Sequence, residues 1–232
     1  MRTKGLVALG ALVLATTALT GCGSGFMAMS GPADEKTETY EVKDKVAVLD
    51  VMSGAGDIVI NETGRTGIKV TEKQHWRDHE PETTHEVKGD TLELRYDCAR
   101  GDSCWVDYTI EVPKGLRIAA EAGSGDVTMR SLTGEVEAKA GSGTIDANNL
   151  GGKRVLAETG SGGVELRFTN PPDSVEAQAG SGDVTLYLPN VPYDVVTEVG
   201  SGDAQVKVTD DSSSPRKVSV RTGSGDARVL PR

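Results

Sequence analysis

Aromatic residues are nearly missing from this 232-residue chain: two Trp, two Phe and five Tyr make up 4 % of it. A core must therefore be aliphatic, and the ring platforms on which sugars or bases stack are scarce. Basic clusters are missing too, with 25 Lys and Arg against 35 Asp and Glu. Neutralising phosphates needs a basic footprint, so DNA and RNA are excluded as partners. Only three His occur, and no Ser, His and Asp stand in a nucleophile elbow. No Walker or dinucleotide-binding loop is present either. Cysteine is limited to Cys22, Cys98 and Cys104.

What is present begins with an export signal. Arg2 and Lys4 precede an apolar stretch from Leu6 to Ala18, too short for the roughly 20 residues of a transmembrane helix, and small residues follow. Residues 1–21 read as a signal peptide. Its removal leaves 23 basic residues against 35 acidic ones, a net charge of −12. Export places Cys98 and Cys104, six positions apart around a Gly-containing loop, in an oxidising compartment, which predicts a disulfide. Metal ligation competes with that reading, but no third cysteine or nearby histidine completes a site. Residues 22–38, rich in small residues and without periodicity, read as a flexible tether. Residues 39–232 then make a single domain of ordinary size for an all-β fold.

Within that domain Gly-Ser-Gly recurs six times, starting at Gly123, Gly141, Gly160, Gly180, Gly200 and Gly223, with spacings of 18, 19, 20, 20 and 23 residues. A period in this range marks a solenoid with one supersecondary unit per turn. Apolar residues alternate on both sides of each corner: Ile118, Ala120 and Ala122 before the first, Val127 and Met129 after it, and so on to Ala227 and Val229. Such alternation means strands with one face buried. Length varies only at the opposite corner, as between Thr209 and Lys217. The predicted fold is all-β, a parallel β-solenoid with about 18–20 residues and two strands per coil. Residues 116–232 form its regular part.

Residues 39–115 read as irregular coils. Leu49, Val51 and Ser53 before Gly54-Ala55-Gly56-Asp57, then Ile58 and Ile60, match the repeat in degenerate form. His75, His79 and His85 lie further on, among Asp78, Glu80, Glu82 and Glu86, and read either as a metal site or as a solvated polar protrusion. In an extended segment His75 and His79 stand two strand repeats apart, far for joint ligation.

One outward row carries possible chemistry. The residue after each corner is Asp126, Thr144, Gly163, Asp183, Asp203 and Asp226, so stacked rungs about 4.8 Å apart are expected to bring Asp183, Asp203 and Asp226 together. Like charges at that spacing call for calcium or for backbone N–H groups. Calcium-binding β-rolls repeat Gly-Gly-x-Gly-x-Asp at both corners, whereas this chain has its motif at one.

Leu19-Thr20-Gly21-Cys22 resembles the lipobox of bacterial lipoproteins. The resemblance implies that Cys22 is lipidated and holds the protein at the extracytoplasmic face of the bacterial cell membrane. The Gly-Ser-Gly-Asp-Val repeat, the copy from Ser53 to Ile60, the Val112-Pro113 step and the lipobox together are similar to a family of exported bacterial candidate adhesins with a domain of unknown function. That likeness spans about Tyr40 to Leu230 and implies a β-solenoid in the cell envelope, with no established active site. The expected role is a non-enzymatic, adhesin-like binding or structural module: a stiff acidic rod presenting Leu156, Tyr187 and Val196 to an envelope protein or polysaccharide. The alternatives are a polysaccharide-active solenoid enzyme, needing clustered carboxylates in a cleft, and a calcium-dependent envelope sensor. No cofactor besides calcium is suggested.

Overall fold

Period-two alternation in the sequence becomes alternating burial along almost every strand of the computed structural model, which describes residues 34–232. In chain order, β1 (Asp34–Val42) is followed by a first coil of β2 (Val48–Ser53) and β3 (Ile58–Glu62). Then come β4 (Ile68–Trp76) and β5 (Glu82–Lys88), and a coil of β6 (Thr91–Asp97) and β7 (Cys104–Val112). Six regular coils complete the chain: β8 (Arg117–Ala122) with β9 (Val127–Arg130), β10 (Val136–Ala140) with β11 (Ile145–Leu150), and β12 (Arg154–Thr159) with β13 (Val164–Phe168). The last three are β14 (Ser174–Ser181) with β15 (Val184–Leu188), β16 (Asp194–Ser201) with β17 (Ala204–Val206), and β18 (Lys217–Ser224) with β19 (Ala227–Pro231). The first strands of the coils stack into one sheet and the second strands into the other, in parallel register throughout. The predicted two-strand parallel solenoid is what forms.

A thin core lies between the two sheets. Its floor before each corner is mostly small, as with Ala120, Ala138, Ala157 and Ala177, while Met129, Ile145, Leu166 and Leu186 fill the space from the other side, all at most 3 % exposed. Burying an aliphatic side chain of that larger class contributes about 1.5–3 kcal/mol. Two sheets can approach this closely because the corner holds glycine. A Cβ at Gly143 would overlap the carbonyl oxygen of Gly125 in the rung below, and one at Gly125 would overlap that of Gly56. The corner serines face solvent, and their backbone amides, not their hydroxyls, bond to the neighbouring rung, as in Ser142 N to Gly123 O at 3.0 Å.

Three features differ from the sequence expectation. First, the coils are not stacked in chain order. The sheets run β16-β18-β14-β12-β10-β8-β2-β6-β5 and β1-β4-β7-β3-β9-β11-β13-β15-β19-β17, so β18/β19 lies inside β16/β17, and β2/β3 lies inside β6/β7. The long connection from Lys207 to Arg216 gives the chain slack to step back one rung. It is held in place by buried Tyr193, whose amide donates to Thr209 O at 3.0 Å. Second, the N-terminal end is not all parallel coils: β4 pairs antiparallel with β7, β1 with β4, and β5 with β6. Third, β1 begins at Asp34, inside the segment 22–38 read as a tether. Its sequence DEKTET has no apolar alternation to betray a strand, and the pairing with β4 and ion pairs such as Lys73 to Glu35 at 3.0 Å hold it.

Candidate functional site

Backbone amides of the neighbouring rung face the aspartate row. Asp107 Oδ1 accepts from Asp57 N at 2.9 Å, Asp57 Oδ1 from Asp126 N at 2.9 Å, and Asp126 Oδ1 from Thr144 N at 2.7 Å. After a gap at Gly163 the ladder resumes, with Asp183 Oδ1 accepting from Asp226 N and Asp226 Oδ1 from Asp203 N, both at 2.9 Å. Every carboxylate reaches in the same direction, to the next rung. The row expected as Asp183, Asp203, Asp226 is therefore Asp183, Asp226, Asp203, because the last two coils are exchanged. The guanidinium of Arg228 lies beside both Asp183, at 3.0 Å, and Asp226. The Asp226 amide and, after it, Arg228 hold the Asp183 carboxyl below its ordinary value. Asp107 escaped the sequence reading since it follows no glycine corner. The available signal was an aspartate directly before an inward residue, Tyr108, as Asp57 precedes Ile58.

The three histidines do not converge. His75 Nε2 lies 3.1 Å from Asp107 Oδ2 and its ring stacks on Trp105, with centroids 4.7 Å apart. His79 Nδ1 lies 2.7 Å from Asp102 Oδ2, and His85 stacks on Tyr40 at 4.2 Å. Asp102 sits in the loop closed by the Cys98–Cys104 disulfide, whose Cα atoms are 5.8 Å apart. Among the described residues no three His, Cys, Asp or Glu side chains are grouped to hold a metal ion. Beside the disulfide an open cleft is lined by Asp78, His79, Glu80, Glu82 and Asp97.

A polar island inside the N-terminal end went unseen in the sequence. Glu72 is fully buried, with Tyr40 Oη donating to its Oε1 at 2.6 Å and Gln74 Nε2 to its Oε2 at 3.4 Å. Burial, and after it Glu72, pushes both the Tyr40 and Tyr108 hydroxyls upward. The Tyr108 hydroxyl and Gln74 Oε1 have no partner among the described residues. The signal was legible in principle, since Glu72 and Gln74 continue the inward series of Ile68 and Val70.

Of the expected contact residues, Val196 is 49 % exposed on β16, and Leu156 faces out from β12 in the same row of the same sheet. Tyr187 faces out from the opposite sheet, with the Arg167 guanidinium 3.8 Å from its ring centroid. The three do not share a surface. Cys22, the expected lipidation site, lies outside the described residues, as do the signal peptide and most of the expected tether.

Residues 114–230 match the family model described as Toastrack DUF4097. The chain belongs to that family. The match covers the regular coils of this Toastrack protein and leaves the N-terminal end, with its disulfide and its polar island, outside. Solved structures similar to it include a candidate cell adhesion protein from Clostridium sporogenes, at 18 % identity and a TM-score of 0.48, covering 86 % of this chain and 100 % of that one. A candidate adhesin from Bacteroides fragilis gives 18 % and 0.46, over 85 % and 97 %. A candidate lipid-binding protein from Parabacteroides distasonis gives 16 % and 0.38, over 83 % and 96 %. No curated protein matches.

Proposed function

We propose that this Toastrack protein is a non-enzymatic binding or structural module of the bacterial cell envelope, anchored outside the membrane by lipid on Cys22. The observation that carries this reading is the use made of its ionisable groups. Asp107, Asp57, Asp126, Asp183 and Asp226 each commit one carboxylate oxygen to an amide of the next rung, and the three histidines are dispersed among separate aromatic and carboxylate neighbours. A glycosidase needs two carboxylates facing one another across a cleft, roughly 5–9.5 Å apart; the ladder places its carboxylates in a file along a corner, and in the open cleft beside the disulfide Glu80 is paired with Lys36. What remains for recognition is the outer faces of a ten-stranded and a nine-stranded sheet.

Retention assays of the full chain on envelope polysaccharides and on surface proteins, with and without calcium, test the reading. Retention without chemical change of the polymer is expected. Shortening of a polysaccharide during the assay would replace the binding module by an enzyme. Labelling with a radioactive fatty acid in the native host tests the anchor: incorporation is expected, and a Cys22→Ser variant that labels equally would rule out lipid at that position.

A further inference from the structure

In the regular coils from β8 to β15, and in β18 and β19, the inward positions are 0–6 % exposed. At the outermost coil they open to solvent: Val206 is 38 % exposed, Ala204 is exposed, and Val195, Thr197 and Val199 are half-buried. Both sheets end on this one rung, at β16 and at β17. We propose that this end face is a self-association surface, pairing with the same face of a second copy of this chain across a two-fold axis.

The choice of partner follows from the edge itself. A single added strand would continue only one sheet, whereas the same end of a second copy offers both edges at once. Val199 and Gln205 each stand three residues from the corner glycine Gly202, and the proposed two-fold axis runs along the sheet normal through these two positions. Antiparallel pairing about that axis sets Ala204 against the second copy's Val206 and Gln205 against its own equivalent. Asp203 then meets Lys207. Neither the Asp203 carboxylate nor the Lys207 ammonium has a partner among the described residues, although each carboxylate lower in the final stretch of the ladder has one. On the other sheet Val199 meets itself and Thr197 meets Ser201, with no like charges opposed.

The remaining charges agree with that arrangement. Asp194 and Glu198 on the edge strand are held by Lys217, at 2.6 Å, and Arg221, at 3.2 Å, from the strand beneath. The opposite end of the molecule is edged by β1 and β5, whose Glu35, Glu38, Glu41 and Glu86 are engaged in ion pairs with Lys36, Arg65, Lys73 and Lys88, so head-to-tail stacking would set the open inner positions of the last coil against a dense file of charge. The start of β16 is already covered: Asp211 N donates to Tyr193 O at 2.7 Å, and Val195 N to Asp210 Oδ1 at 3.1 Å. The proposed register clears this cover, because the second chain has turned away at Gly202 before reaching it. A two-fold contact of this kind closes on itself and yields dimers, not fibres.

The overlap is about five residues in each sheet, small against the roughly 800 Å² per partner of a standard interface, so the association is weak. Sedimentation equilibrium of the full chain carrying Cys22→Ser, from about 10 μM to about 1 mM, is expected to show monomer and dimer without higher species. Asp203→Lys and Lys207→Asp should each weaken the dimer roughly fivefold or more, and the double variant should restore it. Gln205→Cys in the same background is expected to crosslink into a dimer on oxidation, whereas Thr185→Cys, two strands inward, is not. A chain that stays monomeric over the whole range, or a dimer indifferent to both charge reversals and to Gln205→Cys, overturns the proposal.

Discussion

The two ends of this solenoid face the same physical problem and meet it differently. A stack of parallel rungs leaves unpaired N–H and C=O groups at each end, along with the inner side chains of the last coil. At the N-terminal end the chain folds back on itself. Strands β4, β1 and β5 pair antiparallel, their edges bristle with Glu and Lys in ion pairs, and a disulfide fastens the turn into β7. At the C-terminal end a regular coil is simply last, covered over three residues by the segment around Asp210. An end finished by charge and crosslink needs no partner; an end finished by a plain coil exposes the template of the repeat. The regular coils match the family model, and the elaborate end lies outside it.

Substitutions that act on one end and spare the other sharpen this contrast. The largest difference is expected at glycine. Gly225, at φ 137°, lies against the Gly182 carbonyl, and Gly225→Ala should cost about 4 kcal/mol or abolish folding. Gly89 in the β5–β6 turn has a φ of 65° but nothing within 4 Å, so Gly89→Ala should cost only about 1 kcal/mol in urea titrations. Next come the inner residues of the outermost coils. Leu94→Ala, in a fully buried site near the N-terminal end, should lose about 3 kcal/mol, while Val206→Ala should lose less than about 0.5. Equal losses would mean that the C-terminal coil is covered after all.

Replacing both Cys98 and Cys104 by Ser opens a short loop and should lower stability by about 2 kcal/mol. Hydrogen exchange should quicken in β6 and β7 and stay unchanged in β18 and β19. A smaller effect distinguishes the aspartates: Asp226→Ala should cost about 1 kcal/mol, because the Asp203 amide loses its acceptor, and Asp203→Ala almost nothing. The melting temperature should not move between calcium and a chelator; a rise with calcium would assign the row to the ion. The least effect concerns acid. Asp183 is held below its ordinary value in the folded state, so its contribution is present above the ordinary carboxylate range and is lost as pH falls through the lowered value. Asp183→Asn should therefore flatten the acid limb of the stability curve by lowering stability above the ordinary carboxylate range, while leaving stability below the lowered value unchanged.

How much of this was legible in the sequence depends on what each residue had to report. Ile118, Ala120 and Ala122 announce a strand and its buried face, and the recurring glycines announce that rungs superimpose there. Neither says which rung lies beside which, because every rung presents the same row and any neighbour satisfies it. The exchanged order of β16 and β18 was for that reason invisible, although the 23-residue spacing and Tyr193 marked the place. The disulfide was readable from the spacing of the two cysteines together with the expected export. Strand β1 was missed since its first six residues are polar and are held by pairing with β4 and by ion pairs, and Glu72 because a carboxylate in an inward position contradicts the rule by which inward positions are recognised.

The exchanged coils also set a sequence of events. Strands β16 and β17 leave the ribosome, and on the expected export route cross the membrane, before β18 and β19, yet the rung they rest on is made of β18 and β19. Rungs up to β15 can be added one upon another as the chain emerges. The next to emerge meets the open edges of β14 and β15, which its successor occupies in the finished stack, so it must stay off those edges or leave them, with Val195, Val196 and Val199 on display. Docking of the last strands then completes two interfaces in a single step, so the closing of this end is a matter of timing as much as of packing.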